Sequence, residues 1–205
     1  MKIINGLLCD DEGNVLQYKK SPNQSGSIEP KFLVIHYTAG RSADSSIKWL
    51  TNSQTKASAH LVIGRDGSVT QLVPFNKKAW HAGKSRWGNY VGLNSYSIGI
   101  ELDNAGKLVK KGGKWTTWFA AEIDDENVLE AIHKNESVER GWHSYTEQQI
   151  EKAIEVSSLL VQHYGLIEIL GHEDIAPGRK TDPGPAFPMD SFISTIIGRQ
   201  EENDL

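Results

Sequence analysis

Runs of apolar residues that stop at polar residues predict the strands of this chain. Residues 32–35 are apolar in succession, which predicts a buried strand, and His36 stands where that strand should end. Residues 94–103 alternate isoleucine and leucine with small or charged residues and predict a second buried strand, which carries Glu101. Two β-rich runs within residues 58–73 are joined by an Asp-Gly pair, a strong signal for a β-hairpin.

Amphipathic segments with capping residues predict the helices. A segment at about 43–51 follows hydroxyl and carboxylate caps and has apolar residues at a three-residue step. The segment 146–165 is the clearest helix, because a threonine cap, a glutamine three residues later and a closing glycine delimit it. A last helix is expected at about 190–197, before a polar tail at 199–205. Strands and helices in this order predict an α/β fold with a central mixed β-sheet flanked by helices.

The same pattern of apolar and polar residues divides the chain into three parts. Residues 1–30 predict an N-terminal arm, either a short hairpin or an extended segment, followed by a flexible loop, and residues 31–198 predict a single domain. That domain is interrupted by a long excursion at about 105–144, whose only visible periodicity is short and helical, at 126–133. Excursions longer than about 15 residues are usually lids or binding loops, and the tryptophans here suit that role. A flap with its own small cluster is the equal alternative.

Composition narrows the class of protein. The 205 residues are 38% hydrophobic and 23% charged, which is ordinary for one soluble globular domain. A net charge of -4 leaves no basic footprint and argues against nucleic acid as the main partner. The single cysteine excludes an internal disulfide, and no apolar run approaches the roughly 20 residues of a membrane span. The first residues do not form a secretory signal, so we expect cytoplasmic synthesis, with release by lysis or a dedicated secretion system still open.

A proline-rich and glycine-rich loop at 171–187 carries the most concentrated chemistry of the chain. Three prolines and two internal glycines exclude regular structure, so His172, Lys180 and Asp182 project from a stiffened loop. His172 and Asp182 are ten residues apart, which a folded loop can close onto one metal ion. Catalytic zinc usually takes three protein ligands, and His36 is the best third donor. For either histidine alone, a core residue hydrogen-bonded to backbone is the alternative.

Three further residues are candidates for binding or catalysis. Burying an unpaired carboxylate costs several kcal/mol, so Glu101 lies either at an exposed edge or beside a polar site that needs a base, and we favour the site. Trp80 and His81 stand side by side in a predicted loop. Their ring face and hydrogen-bonding edge are expected to contact a sugar or a peptide.

Five features in a fixed order now give the chain a family resemblance. They are His36 after its strand, SAHLVIGRDG at 58–67, AWHAG at 79–83, SIGIEL at 97–102 and GHEDIAPGRKTDPGPAF at 171–187. In these motifs the chain resembles the zinc-dependent N-acetylmuramoyl-L-alanine amidases over about residues 32–187. It looks most similar to the branch that recycles anhydro-muropeptides, and phage lysozyme-amidases and animal peptidoglycan-recognition proteins are more distant.

The resemblance implies a fold, a metal and a reaction. It implies an amidase or peptidoglycan-recognition-protein fold, with Zn²⁺ held by His36, His172 and Asp182, and with Glu101 and Lys180 beside the reacting centre. The substrate would be peptidoglycan or a muropeptide, cleaved between N-acetylmuramic acid, or its anhydro form, and L-alanine. We assign Glu101 as the base and Lys180 as the stabiliser of the developing oxyanion.

Two positions depart from the phage-type pattern, and two rival functions stay open. A phage-type relative would have a tyrosine before the hairpin histidine and a cysteine as third ligand, where this chain has Ala59 and Asp182. His60 is then expected to be structural, since a fourth protein ligand would displace the water that the chemistry needs. A zinc peptidase that cuts within the stem peptide uses the same chemistry, and a non-catalytic peptidoglycan-binding module would lack a zinc ligand. His133 and His143 receive no role, and the sequence does not indicate an oligomeric state.

Overall fold

The computed structural model describes residues 1–203. Sixteen strands and four α-helices follow each other along this part of the chain. The strands are β1 Lys2–Ile4, β2 Leu7–Cys9, β3 Gln24–Ser27, β4 Phe32–Tyr37, β5 Leu61–Ile63, β6 Val69–Gln71, β7 Lys77–Ala79, β8 Arg86–Trp87, β9 Tyr90–Val91, β10 Ser97–Leu102, β11 Lys107–Lys111, β12 Lys114–Thr116, β13 Glu122–Ile123, β14 Val128–Ile132, β15 Glu139–His143 and β16 Glu168–Gly171. The helices are α1 Ala43–Leu50, α2 Glu147–Tyr164, α3 His172–Ile175 and α4 Met189–Asn203.

The central sheet has five strands in the order β16-β4-β10-β5-β6. The first four strands run parallel, and β6 runs antiparallel to β5 as the second strand of the predicted hairpin. The Asp-Gly turn of this hairpin is possible because Gly67 adopts a positive φ of 78°, which glycine reaches without strain. The predicted mixed sheet and α/β class are confirmed.

The two faces of the sheet have different environments. Alternate residues of β4 and β10, among them Ile35 and Ile100, point to the face that α2 and α4 cover, where they form the largest apolar cluster. The opposite face packs on α1 through Val62, while His36 and Glu101 lie on it at the carboxyl ends of their strands. The register pairs Glu101 with His36, so both side chains leave the sheet in the same direction.

Local capping fixes the helices where the sequence predicts them. Ser42 accepts the N–H of Ser45 at the start of α1, and Thr146 accepts the N–H of Gln149 at the start of α2. Gly165 closes α2 in the left-handed conformation, which a side chain would oppose. The last helix is longer than predicted, because α4 continues to Asn203 and takes in most of the expected polar tail. Residues 204 and 205 of that tail lie outside the described residues.

The excursion at 105–144 is a second, antiparallel sheet in the order β13-β12-β11-β15-β14. The helical periodicity expected at 126–133 is wrong, since Val128–Ile132 is a strand paired along its whole length with Glu139–His143. Leu108 and Trp115 form a small apolar core of its own under this sheet. The strand forms because its backbone groups pair with those of the neighbouring strand, whereas a short isolated helix is only marginally stable.

The N-terminal arm forms the predicted hairpin and packs on the domain. Strands β1 and β2 pair, and Leu8 is buried in the largest cluster, where its N–H donates to the side chain of Gln71. Strand β3 pairs with β7 beyond it. Among the described residues, the helices are all too short or too polar to cross a bilayer.

Candidate metal centre

Three elements bring the predicted metal ligands to one edge of the central sheet. His36 lies near the end of β4, and His172 follows directly after β16, the neighbouring parallel strand. Parallel strands end at the same edge, so the two imidazoles meet there although 136 positions separate them. The loop after α3 then folds back, and the N–H of Glu173 donates to the backbone carbonyl of Asp182 at 2.9 Å, which returns the aspartate to both histidines.

The three donor atoms form an almost regular triangle. The Nδ1 atoms of His36 and His172 are 2.9 Å apart, and each is 2.9 Å from Oδ2 of Asp182. All three side chains are buried. Zinc at its usual distance of about 2.0–2.1 Å from nitrogen and oxygen would separate its ligands by roughly 3.3 Å, so the triangle is close to the size that a tetrahedral ion requires.

The Nδ1 atoms of His36 and His172 are free to bind a cation, as the hydrogen bonds of the Nε2 atoms of the same rings show. His172 Nε2–H donates to the carbonyl of Ala82 at 3.1 Å, because a carbonyl oxygen can only accept. Its Nδ1 therefore presents a lone pair. The same holds for His36, whose Nε2–H donates to Nδ1 of His81 at 2.9 Å. Two lone pairs and a carboxylate oxygen then face one another, an arrangement that a divalent cation stabilises and that fits zinc.

The charge states agree with metal binding. Burial, with the neighbouring His172, lowers the pKa of His36 to about 4, so this ring is neutral at pH 7. Burial by itself would raise the pKa of Asp182, but the adjacent side chains of His172 and His36 bring it below its ordinary value. The site thus offers a carboxylate and an uncharged imidazole without a competing proton.

His81 is a buried neighbour of this centre and is hydrogen-bonded to His36. Its ring is only 8% exposed, and its Nε2–H points to the side chain of Ser97 at 3.2 Å, so its Nδ1 accepts from His36. The ring fits against β10 because residue 99 is glycine, where a Cβ would lie 2.5 Å from the imidazole. This position behind His36 suits a residue that orients a metal ligand, and contact between His81 and a substrate stays a prediction.

His60 and Trp80 complete the comparison with the predicted residues around the hairpin. His60 is buried and structural as predicted, since its Nδ1 accepts the N–H of Gly99 and its Nε2–H donates to the carbonyl of Lys77, both at 2.9 Å. Trp80 lies toward the N-terminal arm, where its indole N–H donates to Ser25 at 3.2 Å. Contact between Trp80 and a substrate stays a prediction.

Glu101 lies beside the metal centre with a carboxylate that has no fixed partner. Its Oε2 atom is fully buried and makes no hydrogen bond within the described part of the chain. Burial raises the pKa of Glu101 well above its ordinary value, Asp182 adds to the rise, and Lys180 opposes it. The side chain also lines a cavity of about 420 Å³. A buried, unpartnered carboxylate at a cavity has the environment of a general base.

Lys180 is the cation of the same site. It is half-buried on the metal-binding loop, two residues before Asp182, and its charge acts on both Glu101 and His36. None of the ion pairs formed by the described residues includes its ammonium group. The Nζ of Lys180 therefore has no carboxylate partner among the described residues.

Sequence reasoning missed a buried hydrogen bond that joins the excursion to α3, the short helix that begins with His172. His133 and Glu173 are both buried, and His133 Nε2 lies 2.6 Å from Oε2 of Glu173. Lys134 contacts the other oxygen at 2.9 Å, and the N–H of Gly184 donates to Oε2 at 3.1 Å. The excursion thus fixes α3, which carries His172. An acidic residue directly after a metal-binding histidine was the only signal in the sequence, and its partner is 40 positions away.

Replacing His133 with alanine tests this contact. We expect His133→Ala to lower the free energy of unfolding by about 3 kcal/mol in urea titrations, because removing one partner leaves a buried carboxylate incompletely paired. The matched control is Lys114→Ala, which breaks an exposed pair with Glu122 and should cost less than about 1 kcal/mol. Equal stabilities of the two variants would contradict the role given to His133.

Comparisons with known proteins agree with the geometry. A family described as N-acetylmuramoyl-L-alanine amidase matches residues 26–185. The chain is 39% identical over 141 residues to 1,6-anhydro-N-acetylmuramyl-L-alanine amidase AmpD of Enterobacter cloacae, covering 68% of this chain and 57% of that protein. It is 34% identical over 200 residues to N-acetylmuramoyl-L-alanine amidase AmiD of Escherichia coli (strain K12), covering 93% of this chain and 62% of AmiD. The chain therefore spans about three fifths of the length of these relatives.

Solved structures show the same fold. A selenomethionine derivative of AmpD superimposes with a TM-score of 0.65 at 27% identity, covering 95% of this chain and 99% of that one. AmiD from E. coli, in a complex with the substrate anhydro-N-acetylmuramic acid-L-Ala-D-gamma-Glu-L-Lys, gives a TM-score of 0.63 at 30% identity, covering 94% of this chain and 66% of AmiD. The predicted fold and the family resemblance are confirmed.

Proposed function

We propose, from the premise that this chain belongs to the N-acetylmuramoyl-L-alanine amidase family, that it hydrolyses the amide bond between N-acetylmuramic acid, or its 1,6-anhydro form, and L-alanine. One observation carries the proposal. Two imidazole nitrogens and one carboxylate oxygen, from His36, His172 and Asp182, lie 2.9 Å from one another beside the unpartnered carboxylate of Glu101. A metal beside a general base is a combination that can hydrolyse an unactivated amide.

The substrate class follows from the relatives. The ligand of AmiD carries L-Ala, D-gamma-Glu and L-Lys after anhydro-N-acetylmuramic acid. Glutamate linked through its γ-carboxyl keeps a free α-carboxylate, so such a muropeptide bears a negative charge one residue beyond the alanine of the cleaved bond. We propose muropeptides of this kind, or the same unit within peptidoglycan, as the substrate.

The metal and Glu101 have separate tasks in this proposal. Zinc, when bound by His36, His172 and Asp182, supplies a Lewis acid that acidifies water and polarises the amide carbonyl. Glu101 accepts the proton of the attacking water at its free Oε2 atom and then delivers a proton to the departing amine of L-alanine. The raised pKa of Glu101 suits both steps, because a carboxyl of ordinary pKa is a poor acid near neutral pH.

Lys180 and His81 assist without exchanging a proton with the substrate. The ammonium of Lys180 stabilises negative charge on the former carbonyl oxygen, an effect whose loss typically costs about 10²- to 10³-fold in rate. His81 keeps the ring of His36 in one tautomer and one orientation, with Nδ1 toward the metal position.

A digest of purified muropeptide followed by mass spectrometry tests the reaction. We expect release of an intact stem peptide and of the free muramyl sugar. Cleavage inside the stem would show a zinc peptidase instead, and binding without cleavage would show a recognition module. Rates on intact sacculi and on soluble muropeptides, measured in parallel, would distinguish a wall-degrading enzyme from a recycling one.

A further inference from the structure

We propose that the excursion builds one wall of the substrate site, and that Arg41 there binds the free carboxylate of the stem peptide. The inference deepens the proposed function and rests on it. The site is the cavity beside Glu101, here called the tryptophan groove, with Trp49 and Trp118 at its rim and Arg41 in its lining. It adds an acidic-peptide subsite to the metal centre.

The lining of the groove includes Glu101 and two tryptophans. Its volume is about 420 Å³, and Glu101 lines it together with Arg41, Trp49 and Trp118. Trp49 is 63% exposed on α1, and Trp118 is 73% exposed on the excursion. Large aromatic side chains left in solvent on either side of a cavity that contains a catalytic base are typical of a ligand site.

The excursion holds its tryptophan rigidly in this position. Trp118 lies in the turn between β12 and β13, which is closed by hydrogen bonds between Thr117 and Ala121. The indole N–H donates to the carbonyl of Ala39 at 2.7 Å, in the segment that follows β4. The ring therefore stays in place although most of its surface is in water. A fixed apolar surface binds a ligand at little cost in conformational entropy.

Arg41 is fixed in the same way and keeps its charge unpaired. Its guanidinium carbon lies 4.9 Å from the centre of the Phe119 ring, the residue next to Trp118. No ion pair within the described part of the chain involves Arg41. The nearest acidic residue in sequence, Asp44 in the first turn of α1, is not within salt-bridge distance of it. A stacked, unpaired guanidinium is well suited to a bidentate contact with a carboxylate.

Charge complementarity favours the peptide part of the substrate over the sugar part as the occupant of the tryptophan groove. A neutral sugar would stack on the tryptophans but would leave the cation of Arg41 without a partner. The stem peptide offers apolar surface and, at its second residue after the scissile bond, the free α-carboxylate of γ-linked glutamate. A chain that starts at Glu101 and runs into the groove therefore brings opposite charges together.

Two substrates that differ in one group test the role of Arg41. They are N-acetylmuramyl-L-Ala-γ-D-Glu-L-Lys and the same molecule with the glutamate α-carboxylate converted to an amide. We expect Arg41→Ala to lower kcat/KM about tenfold for the acid, through KM, and less than about twofold for the amide, since a hydrogen bond to a charged group is lost. Lys48→Ala, an exposed α1 cation outside the groove lining, is the control and should change neither value. Equal losses on both substrates would overturn the proposal.

Replacing Trp118 with alanine tests whether the groove binds the peptide part or the sugar part of the substrate. We expect Trp118→Ala to lower kcat/KM about fivefold or more on either full-length substrate and to leave hydrolysis of N-acetylmuramyl-L-alanine amide nearly unchanged. A loss of the same size on that short substrate would place the sugar in the groove and overturn the proposal.

A binding measurement tests the role of Arg41 independently of the proposed hydrolysis. Calorimetry with the free tripeptide L-Ala-γ-D-Glu-L-Lys on the zinc-loaded protein should show binding to the wild type and about tenfold weaker binding to Arg41→Ala. If the wild type hydrolyses none of the substrates but binds the tripeptide through Arg41, the groove is supported and the proposed reaction is wrong. Equal tripeptide binding by wild type and Arg41→Ala overturns the groove whatever the hydrolysis result.

Discussion

Replacing Glu101 with glutamine is expected to leave a folded, zinc-loaded protein whose kcat falls by about 10²- to 10⁴-fold. The amide keeps the size of the side chain but cannot accept a proton from water. Folding should not suffer, because Oε2 makes no hydrogen bond within the described structure and a neutral amide is less costly to bury than a carboxylate. Release of stem peptide, followed by chromatography, measures kcat, and elemental analysis measures the zinc content.

The control for this variant is Glu151→Gln, which makes the same change at an exposed position of α2. It should hydrolyse muropeptide at the wild-type rate. Wild-type turnover in Glu101→Gln would assign the base to another group, whereas loss of zinc together with activity would make Glu101 a residue that supports the metal and not the base.

Replacing Asp182 with alanine is expected to weaken zinc binding by well over 100-fold and to abolish turnover. Loss of a residue that merely orients a ligand costs about 10- to 100-fold in metal affinity, and Asp182 supplies a donor atom itself. It also supplies the only negative charge among the three ligands, so the variant would have to hold a divalent ion with two neutral imidazoles. Competition with a fluorescent chelator measures the affinity.

Thermal unfolding gives a second measurement on Asp182→Ala. A ligand that binds only the folded state at 1,000 times its Kd stabilises it by about 4 kcal/mol, so zinc should raise the Tm of the wild type and not that of the variant. Asp190→Ala, an exposed acid in the first turn of α4, is the control and should respond to zinc like the wild type. A zinc-dependent rise in the Tm of Asp182→Ala would remove Asp182 from the ligand set.

Much of the site was predictable because its residues lie at positions with strong local signals. A run of apolar residues places His36 near a strand end, and prolines and glycines place Asp182 in a stiff loop. The loop prediction was wrong for His172, which begins the short helix α3 because the prolines of this segment all come after Ile175. Glu101 was identified because burying a carboxylate within a strand is costly and is typical of a functional site. Each inference used only residues within a few positions of the one in question.

The excursion shows why the remaining features were not predicted. Short stretches such as 126–133 carry no pattern strong enough to distinguish a helix from a strand, and the strand forms because residues 139–143 pair with it. His81 stands next to Trp80 in sequence, so both were expected to face a substrate. Their side chains point to different surroundings, His81 to His36 and Trp80 to Ser25, which only the folded chain decides.

The sequence by itself determined the α/β class, the caps and extents of α1 and α2, and the identities of the candidate metal ligands, since these depend on local periodicity and on the chemistry of each side chain. Tertiary structure alone decided that His81 is hydrogen-bonded to His36, that His133 is hydrogen-bonded to Glu173, and that Trp118 and Trp49 line one cavity. These contacts join residues 40 or more positions apart, and they form only when two sheets and a loop pack together. The free energy of these contacts depends on the packing of elements that are distant in sequence, so no single segment of the chain predicts it.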